Sequence, residues 1–447
     1  MPNTFLANFT FKLKDLFDRI LQARQEMAWI LTGQLLGLAG GFVSIKVLTN
    51  LMGPEGYGQL ALGLTIAGIL NMYVYGPVAN IAARFFAAYR EKKELAVYFS
   101  VLKKFHKVSG VTITVLAVVA GAIAHIWVGR EWAIIIMVSL LLGIVSGVNA
   151  SYLFLLNAIR ERKVVALHQG ADVWLRVGLS AAFLYLFRNT GYVALLGYLM
   201  GTFLVTVSQS LFALKNEEIR HNWHKASASG RPEMDTSREF LGYATPFVLF
   251  AGFGAISMFA DRWIIQGLFG EGDVGIYYAI YSIANAPITL LFTIASQLMV
   301  PIIFERAGTM TTMAQAESSA SLLRITVILA TLIVLLISLI AYLFSEPLVR
   351  IFTSKVFAAH HSILWVSVLG LSLFNIGQLL SIKGLYFNQP NIYLWPKGLQ
   401  AGSFLLLAYF LARHLGIIGV ALSLFTSAII YLVSVVIANN RIDIGIK

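Results

Sequence analysis

Three places in this sequence set ionised side chains inside stretches that are otherwise apolar for twenty residues or more. Lys46 sits in GGFVSIKVLTN, Asp261 and Arg262 in SMFADRWIIQ, and His168, Asp172 and Arg176 in ALHQGADVWLRVG. An ionised group at the centre of a bilayer costs roughly 2.5 to 3.5 kcal/mol on insertion scales, so each demands a partner, a water-filled cavity or a ligand. Cations at that depth suit an anionic substrate group, which makes Lys46, Arg262 and Arg176 candidate substrate-binding residues. His168, Asp172 and Arg176 are spaced four apart and share one helix face, so a histidine beside a carboxylate could pass protons. His168, Asp172 and Asp261 are therefore candidate coupling groups. Each reading has a plainer rival. Lys46 could extend its stem to the interface, and Asp261 could neutralise Arg262. Asp172 and Arg176 could form a self-contained pair, with His168 near the interface. Arg84, one turn after Asn80, is a further cation that either lines a cytoplasmic mouth or reaches the headgroups. Asn71, Asn149, Asn157, Asn285, Gln297, Asn375 and Gln378 are uncharged polar groups of the kind that more often bond a neighbouring helix than a ligand.

The elements that must position these groups are membrane spans. Of 447 residues 58% are hydrophobic and 12% charged, about half the charged share of a soluble globular domain. A span needs roughly 20 apolar residues. Twelve such runs follow one another, at about 27–51, 57–83, 105–128, 132–157, 164–187, 191–214, 239–268, 274–304, 322–344, 360–386, 391–412 and 416–438. Residues 1–26 place Phe5, Phe9, Leu13, Leu16, Phe17, Ile20 and Leu21 opposite Lys12, Lys14 and Arg19, as an amphipathic helix on a membrane surface does; they lack the order of a cleavable signal. With the N-terminus cytoplasmic, 25 of the 33 Lys and Arg fall in inner loops and tails and 5 in outer loops. The positive-inside rule then sets both termini in the cytoplasm.

The chain also repeats. LMGPEGYG at 51–58 is followed by apolar QLALGLTIAGI, and LFGEGDVG at 268–275 by apolar IYYAIYSIANA. A constant offset of 217 residues pairs Gly53 with Gly270, Gly58 with Gly275, Gly37 with Gly254, Phe42 with Phe259 and Asn80 with Gln297. Each copy has an even number of spans, so the copies share an orientation and relate by a pseudo-twofold axis along the membrane normal. The expected fold is an all-α integral membrane protein of two six-helix bundles, residues 27–214 and 239–438, joined by a polar cytoplasmic linker at 215–238 and ending in a tail at 439–447. The same offset maps Asp261 and Arg262 onto Ser44 and Ile45. Both halves therefore put a cation, Lys46 or Arg262, at nearly the same depth on equivalent helices.

Several classes of function are disfavoured. With no cysteine, the chain has no disulfide, Cys-based zinc site or thiol nucleophile. The net charge of +12 is spread over short loops rather than one basic face, which argues against nucleic acid. No HExxH, GxSxG, DxD or phosphate-binding GxxxxGK[ST] occurs, so neither an enzyme nor a self-contained ATP-driven pump is expected, and no metal. A membrane glycosyltransferase or glycan polymerase would need a longer outer segment than 345–359, which carries Glu346, Arg350 and Lys355.

Helix 1 running into LMGPEGYG and then LGLTIAGILNMYVYGPVANIAARFFAAYR resembles the opening of the polysaccharide and O-antigen-unit flippases of the multidrug/oligosaccharidyl-lipid/polysaccharide exporter superfamily. The likeness extends over the whole chain in topology. It implies two bundles around a central cavity that opens to one side of the cytoplasmic membrane at a time. It implies transport of a polyprenyl-pyrophosphate-linked oligosaccharide by a monomer surrounded by membrane lipids, alongside glycosyltransferases and a glycan polymerase. No cofactor is expected beyond a coupling proton or sodium ion. A multidrug or cation exporter of the same superfamily is the rival within the fold. It would favour an acidic, aromatic cavity.

Overall fold

A computed structural model describes residues 24–228, 234–308 and 312–442 of the chain. The expected surface helix of residues 1–26 lies almost wholly outside the described residues, and the side chains of Asn80 and Arg84 lie outside them too.

Twelve long helices run through the described residues, matching the twelve apolar runs. The helical stretch Arg24–Leu70 is broken at Gly53, whose φ of 67° and ψ of −171° no helix allows. This leaves α1 (24–52) and α2 (54–91), the latter passing through a π-turn at Asn71–Tyr75 into Gly76–Glu91. The π-turn directly precedes Pro77, which has no N–H to give the helix ladder. α3 is Leu95–Trp127, α4 Arg130–Ala158, α5 Arg162–Leu186 and α6 Gly191–Ala213. α7 is Met234–Leu268, α8 Glu271–Ala307 and α9 Met313–Leu343. α10, Ser362–Leu380, continues past Ser381 into Ile382–Tyr386, and α11 (Leu394–Leu415) and α12 (Ile417–Asn440) follow.

Eight helical stretches among the described residues are long and apolar enough to cross a membrane, the first, Met27–Ala79, taking in α1 and most of α2. The other three long helices are more polar: α5 carries Asp172 and Arg176, α7 Asp261 and Arg262, α11 Lys397 and Arg413. Large apolar side chains of α3, from Val108 to Trp127, and of α9, from Ile328 to Leu343, are exposed in rows. Such rows belong against lipid, where an apolar surface carries no penalty.

Two boundaries differ from the sequence reading. α3 begins ten residues before its apolar run, because Leu95, Tyr98, Phe99 and Leu102 are buried against the neighbouring helices. α7 begins at Met234, five residues before its apolar run and inside the stretch 215–238 read as the linker. That stretch also contains the helix Glu217–Ala228, which buries Ile219 and Ala226. Its Trp223 lies edge-on to Phe99 at 5.4 Å and under the Lys103 ammonium at 4.1 Å.

The duplication appears in the backbone. Gly270, between α7 and α8, has φ 96° and ψ −176°, the same glycine-only region that Gly53 occupies between α1 and α2. The two turns pack against each other. A Cβ on Gly58 would lie 1.8 Å from the carbonyl oxygen of Glu271, and one on Gly275 would lie 1.9 Å from that of Pro54. The 217 offset exchanges these two contacts, since it maps Pro54 onto Glu271 and Gly58 onto Gly275. A local pseudo-twofold axis therefore passes between the turns, and this end of the molecule, the turn end, is where the halves close on each other.

Side chains reinforce that closure. Gln59 Nε2 donates to Glu271 Oε2 at 2.8 Å and Trp132 Nε1 to Glu271 Oε1 at 3.0 Å, both bonds crossing between halves. Toward the linker end, aromatic side chains among the described residues join the halves. Phe240 of α7 stacks on Phe85 at 4.7 Å, and Tyr89 and Thr236 hydroxyls lie 3.4 Å apart.

Candidate substrate-binding site

The most deeply embedded charges among the described residues belong to α7, two turns before Gly270. Asp261 and Arg262 are 3% and 5% exposed. The backbone N–H of Arg262 donates to Asp261 Oδ1 at 2.8 Å, and its Nη1 lies 3.4 Å from the same oxygen. Nη1 also donates to the carbonyl of Met258, one turn back. The flat guanidinium lies over the rings of Tyr278 at 4.7 Å and Tyr281 at 5.2 Å, with Phe259 at 5.8 Å. Tyr278 and Tyr281 are three apart in α8 and so present neighbouring rings to one site. Guanidinium faces are weakly hydrated and suit such aromatic walls. Nε of Arg262 is buried with no acceptor. A guanidinium has five donors in a fixed fork, and a buried N–H without an acceptor is costly. The arrangement therefore holds a cation in place while leaving part of its hydrogen-bonding capacity unfilled.

From this box the polar layer continues into the first half. The ring of Tyr278 lies 5.8 Å from that of Tyr57, just beyond the first glycine turn. Tyr57 is also close enough to Tyr198 and Arg262 to interact electrostatically with both. The Tyr198 hydroxyl is 3.1 Å from Ser44 Oγ, and the Tyr198 ring stands 5.8 Å from the Arg176 guanidinium. Arg176 is gripped by Asp172 through both its oxygens, at 2.6 and 3.1 Å, and donates to Thr202 Oγ1 at 2.8 Å. Arg262 and Arg176, far apart in sequence, thus flank one tyrosine-lined layer that crosses from half to half. Ser44 and Asp261 are repeat counterparts, so equivalent positions carry a hydroxyl in one half and a carboxylate in the other.

The remaining candidates lie elsewhere. Lys46 is exposed near the turn end and donates to the carbonyls of Thr353 at 2.6 Å and Arg350 at 3.4 Å, so it and Arg262 have separate partners. His168 is buried, with Nδ1 2.7 Å from the carbonyl of Val164 and Nε2 2.9 Å from Ser208 Oγ. The Val164 carbonyl can only accept, so Nδ1 carries the hydrogen of that bond, while the Ser208 hydroxyl can serve as donor or acceptor to Nε2. Arg84 lies outside the described side chains. Charge at depth marked Arg262 and Arg176, but it could not mark Tyr57, Tyr198, Tyr278 and Tyr281, whose type is ordinary in a membrane helix. The usable signal was position: Tyr57 and Tyr278 each follow a repeated glycine turn within one helical turn or two.

The fold defines a class, membrane proteins built of two pseudosymmetric helical bundles, and solved structures share it. The chain is similar in structure to a protein described as the lipid II flippase MurJ in an inward closed conformation, with a TM-score of 0.69 at 15% identity, over 94% of this chain and 88% of that one. It is also similar to an inward-facing multidrug resistance MATE family transporter, with a TM-score of 0.64 at 16% identity over 93% of this chain and 94% of that one. A third is a point mutant of the MATE transporter VcmN of Vibrio cholerae, with a TM-score of 0.60 at 16% identity over 96% and 98% of the two chains. Residues 23–307 match the family described as polysaccharide biosynthesis protein, and the chain belongs to that family. Among curated proteins none matches the chain.

Proposed function

We propose that the protein is a flippase that carries a polyprenyl-pyrophosphate-linked oligosaccharide across the cytoplasmic membrane for surface polysaccharide assembly. One observation carries the reading: a buried arginine, Arg262, sits in a tyrosine box one ring from the junction of two pseudosymmetric halves, with an N–H left over, in a chain of the polysaccharide biosynthesis family. A diphosphate presents several anionic oxygens, and arginine pairs with such groups through two parallel hydrogen bonds. Arg262 would take the diphosphate when the halves part, Arg176 would add a second charge across the layer, and the tyrosines would offer hydroxyls and ring faces to the first sugar. The lipid tail stays in the bilayer, where it costs nothing to leave it.

The turn end is the outer end in this reading, with both termini cytoplasmic, and transport is a rocking of residues 27–214 against 239–438. Asp261 is the favoured coupling group. An anion drawing Arg262 away leaves a buried carboxylate without its cation, which favours taking up a proton or a sodium ion. Glycosyltransferases and a glycan polymerase are the expected partners, acting on a monomeric transporter. A cationic drug is the poorer substrate, because Arg262 already occupies the aromatic box that such a cation would need.

The test is Arg262→Gln in a cell whose surface glycan depends on this chain, with membrane levels of the protein matched. Surface glycan is expected to fall at least about tenfold, the loss of one charge-assisted contact or more, with drug resistance unchanged. Full glycan assembly in that variant would remove Arg262 from the mechanism.

A further inference from the structure

Lys46 stands outside the aromatic layer, and its partners belong to the other half. Its ammonium donates to the carbonyls of Thr353 and Arg350, which end the short helix Ser345–Phe352 between α9 and α10. The last carbonyls of a helix have no partner of their own and carry partial negative charge, so a lysine is a fitting cap. Four residues further along α1, Asn50 Nδ2 lies 3.4 Å from the same Thr353 carbonyl. Four residues earlier, the ring of Phe42 stacks on Phe352 at 4.3 Å. Residues 42, 46 and 50 thus form one stripe on α1, and the whole stripe grips the end of a single short helix of the second half. Ser345 and Val349 of that helix are buried, while Glu346, Arg350 and Ile351 are exposed.

The chemistry of the grip is that of a reversible contact. Its only full charge, on Lys46, meets neutral carbonyls and is itself exposed, so water can replace every bond with little penalty. A permanent joint would bury the cation against a carboxylate, as Arg262 is buried beside Asp261 within α7.

We propose that Phe42, Lys46 and Asn50 are a latch, which holds the turn end of the two halves shut and releases the helix Ser345–Phe352 when that end opens. The proposal rests on the reading that the halves rock, and it moves Lys46 from the substrate cavity to the gate.

Because the chain has no cysteine, introduced thiols report on the latch without background. The protein is purified into lipid nanodiscs, which expose both faces, and no transport is measured. Phe42→Cys with Phe352→Cys reports closure by disulfide formation under a mild added oxidant. Val349→Cys alone, at a position 0% exposed, reports opening by its labelling rate with a polar maleimide. Lys46→Met is expected to speed labelling at position 349 about threefold to fivefold and to lower cross-linking to match, the scale of an exposed charged contact. Lys46→Arg, which keeps a donor, should stay within about twofold of the parent, and Asn50→Ala should shift both signals in the same direction by about twofold to threefold. Unchanged labelling and cross-linking in both Lys46→Met and Asn50→Ala would overturn the latch, as would equal acceleration by Lys46→Arg and Lys46→Met. Because the readout is conformational, it stands whether or not the substrate is a lipid-linked sugar.

Discussion

The guanidinium of Arg262, on α7, lies 4.7 Å from the ring of Tyr278, on α8, and that ring faces Tyr57 of the other half at 5.8 Å. This deeply buried cation is therefore not isolated within its own bundle. It is one aromatic ring removed from the junction between the two halves.

Removing that cation should be felt in stability as well as in transport. Breaking a buried ion pair from one side leaves the other charge uncompensated, which costs about 3 to 5 kcal/mol. Arg262→Gln should therefore lower the thermal midpoint of the detergent-solubilised protein, and Asp261→Asn added to it should restore much of the loss. If the double variant is as unstable as the sum of the two single ones, the two side chains are not coupled.

The glycine turns should behave as equivalents. A methyl group at Gly58 or at Gly275 meets a backbone carbonyl at 1.8 or 1.9 Å, a clash that only movement of one turn away from the other relieves. Gly58→Ala and Gly275→Ala should each destabilise by about 1 to 3 kcal/mol or more, and by similar amounts. Thermal unfolding of the two variants side by side checks this. Tolerance of one substitution and not the other would contradict the pseudo-twofold contact.

His168 should prove structural. Both ring nitrogens have partners within its own half, Val164 and Ser208. His168→Gln should cost about 1 to 2 kcal/mol in stability and leave the pH dependence of transport as it was. A pH profile that flattens in this variant would restore His168 as a coupling group.

The helix Glu217–Ala228 should depend on one side chain. Trp223 packs on Phe99 and Tyr152 and lies under Lys103, so Trp223→Ala should free the helix and raise its sensitivity to protease. Hydrogen exchange over residues 217–228 measures the same release; protection equal to the parent would show that Ile219 and Ala226 suffice.

The fold was more legible than the site. Membrane spans declare themselves by composition, because an unpaired backbone in lipid must close its own hydrogen bonds over a fixed length, and the repeat declared itself because only glycine tolerates the backbone of residues 53 and 270. Arg262 and Arg176 stood out because charge at depth is costly. Lys46 stood out for the same reason, yet sequence depth could not show that the short helix Ser345–Phe352 folds back to offer it carbonyls, a contact 304 to 307 residues away. Nor could spacing show that Val164 and Ser208 would partner the two ring nitrogens of His168. The helix at 217–228 escaped notice because its polar face dominates the composition and three apolar side chains do the docking.

The most direct test of the central claim is the affinity of the purified transporter for a short-chain polyprenyl diphosphate, measured for the parent and for Arg262→Gln in the same lipid. Charge-assisted hydrogen bonds are worth about 1.5 to 3 kcal/mol each, so the variant should bind about 10 to 100 times more weakly, while both proteins bind the uncharged polyprenol alike. Equal affinity of parent and variant for the diphosphate would contradict the account.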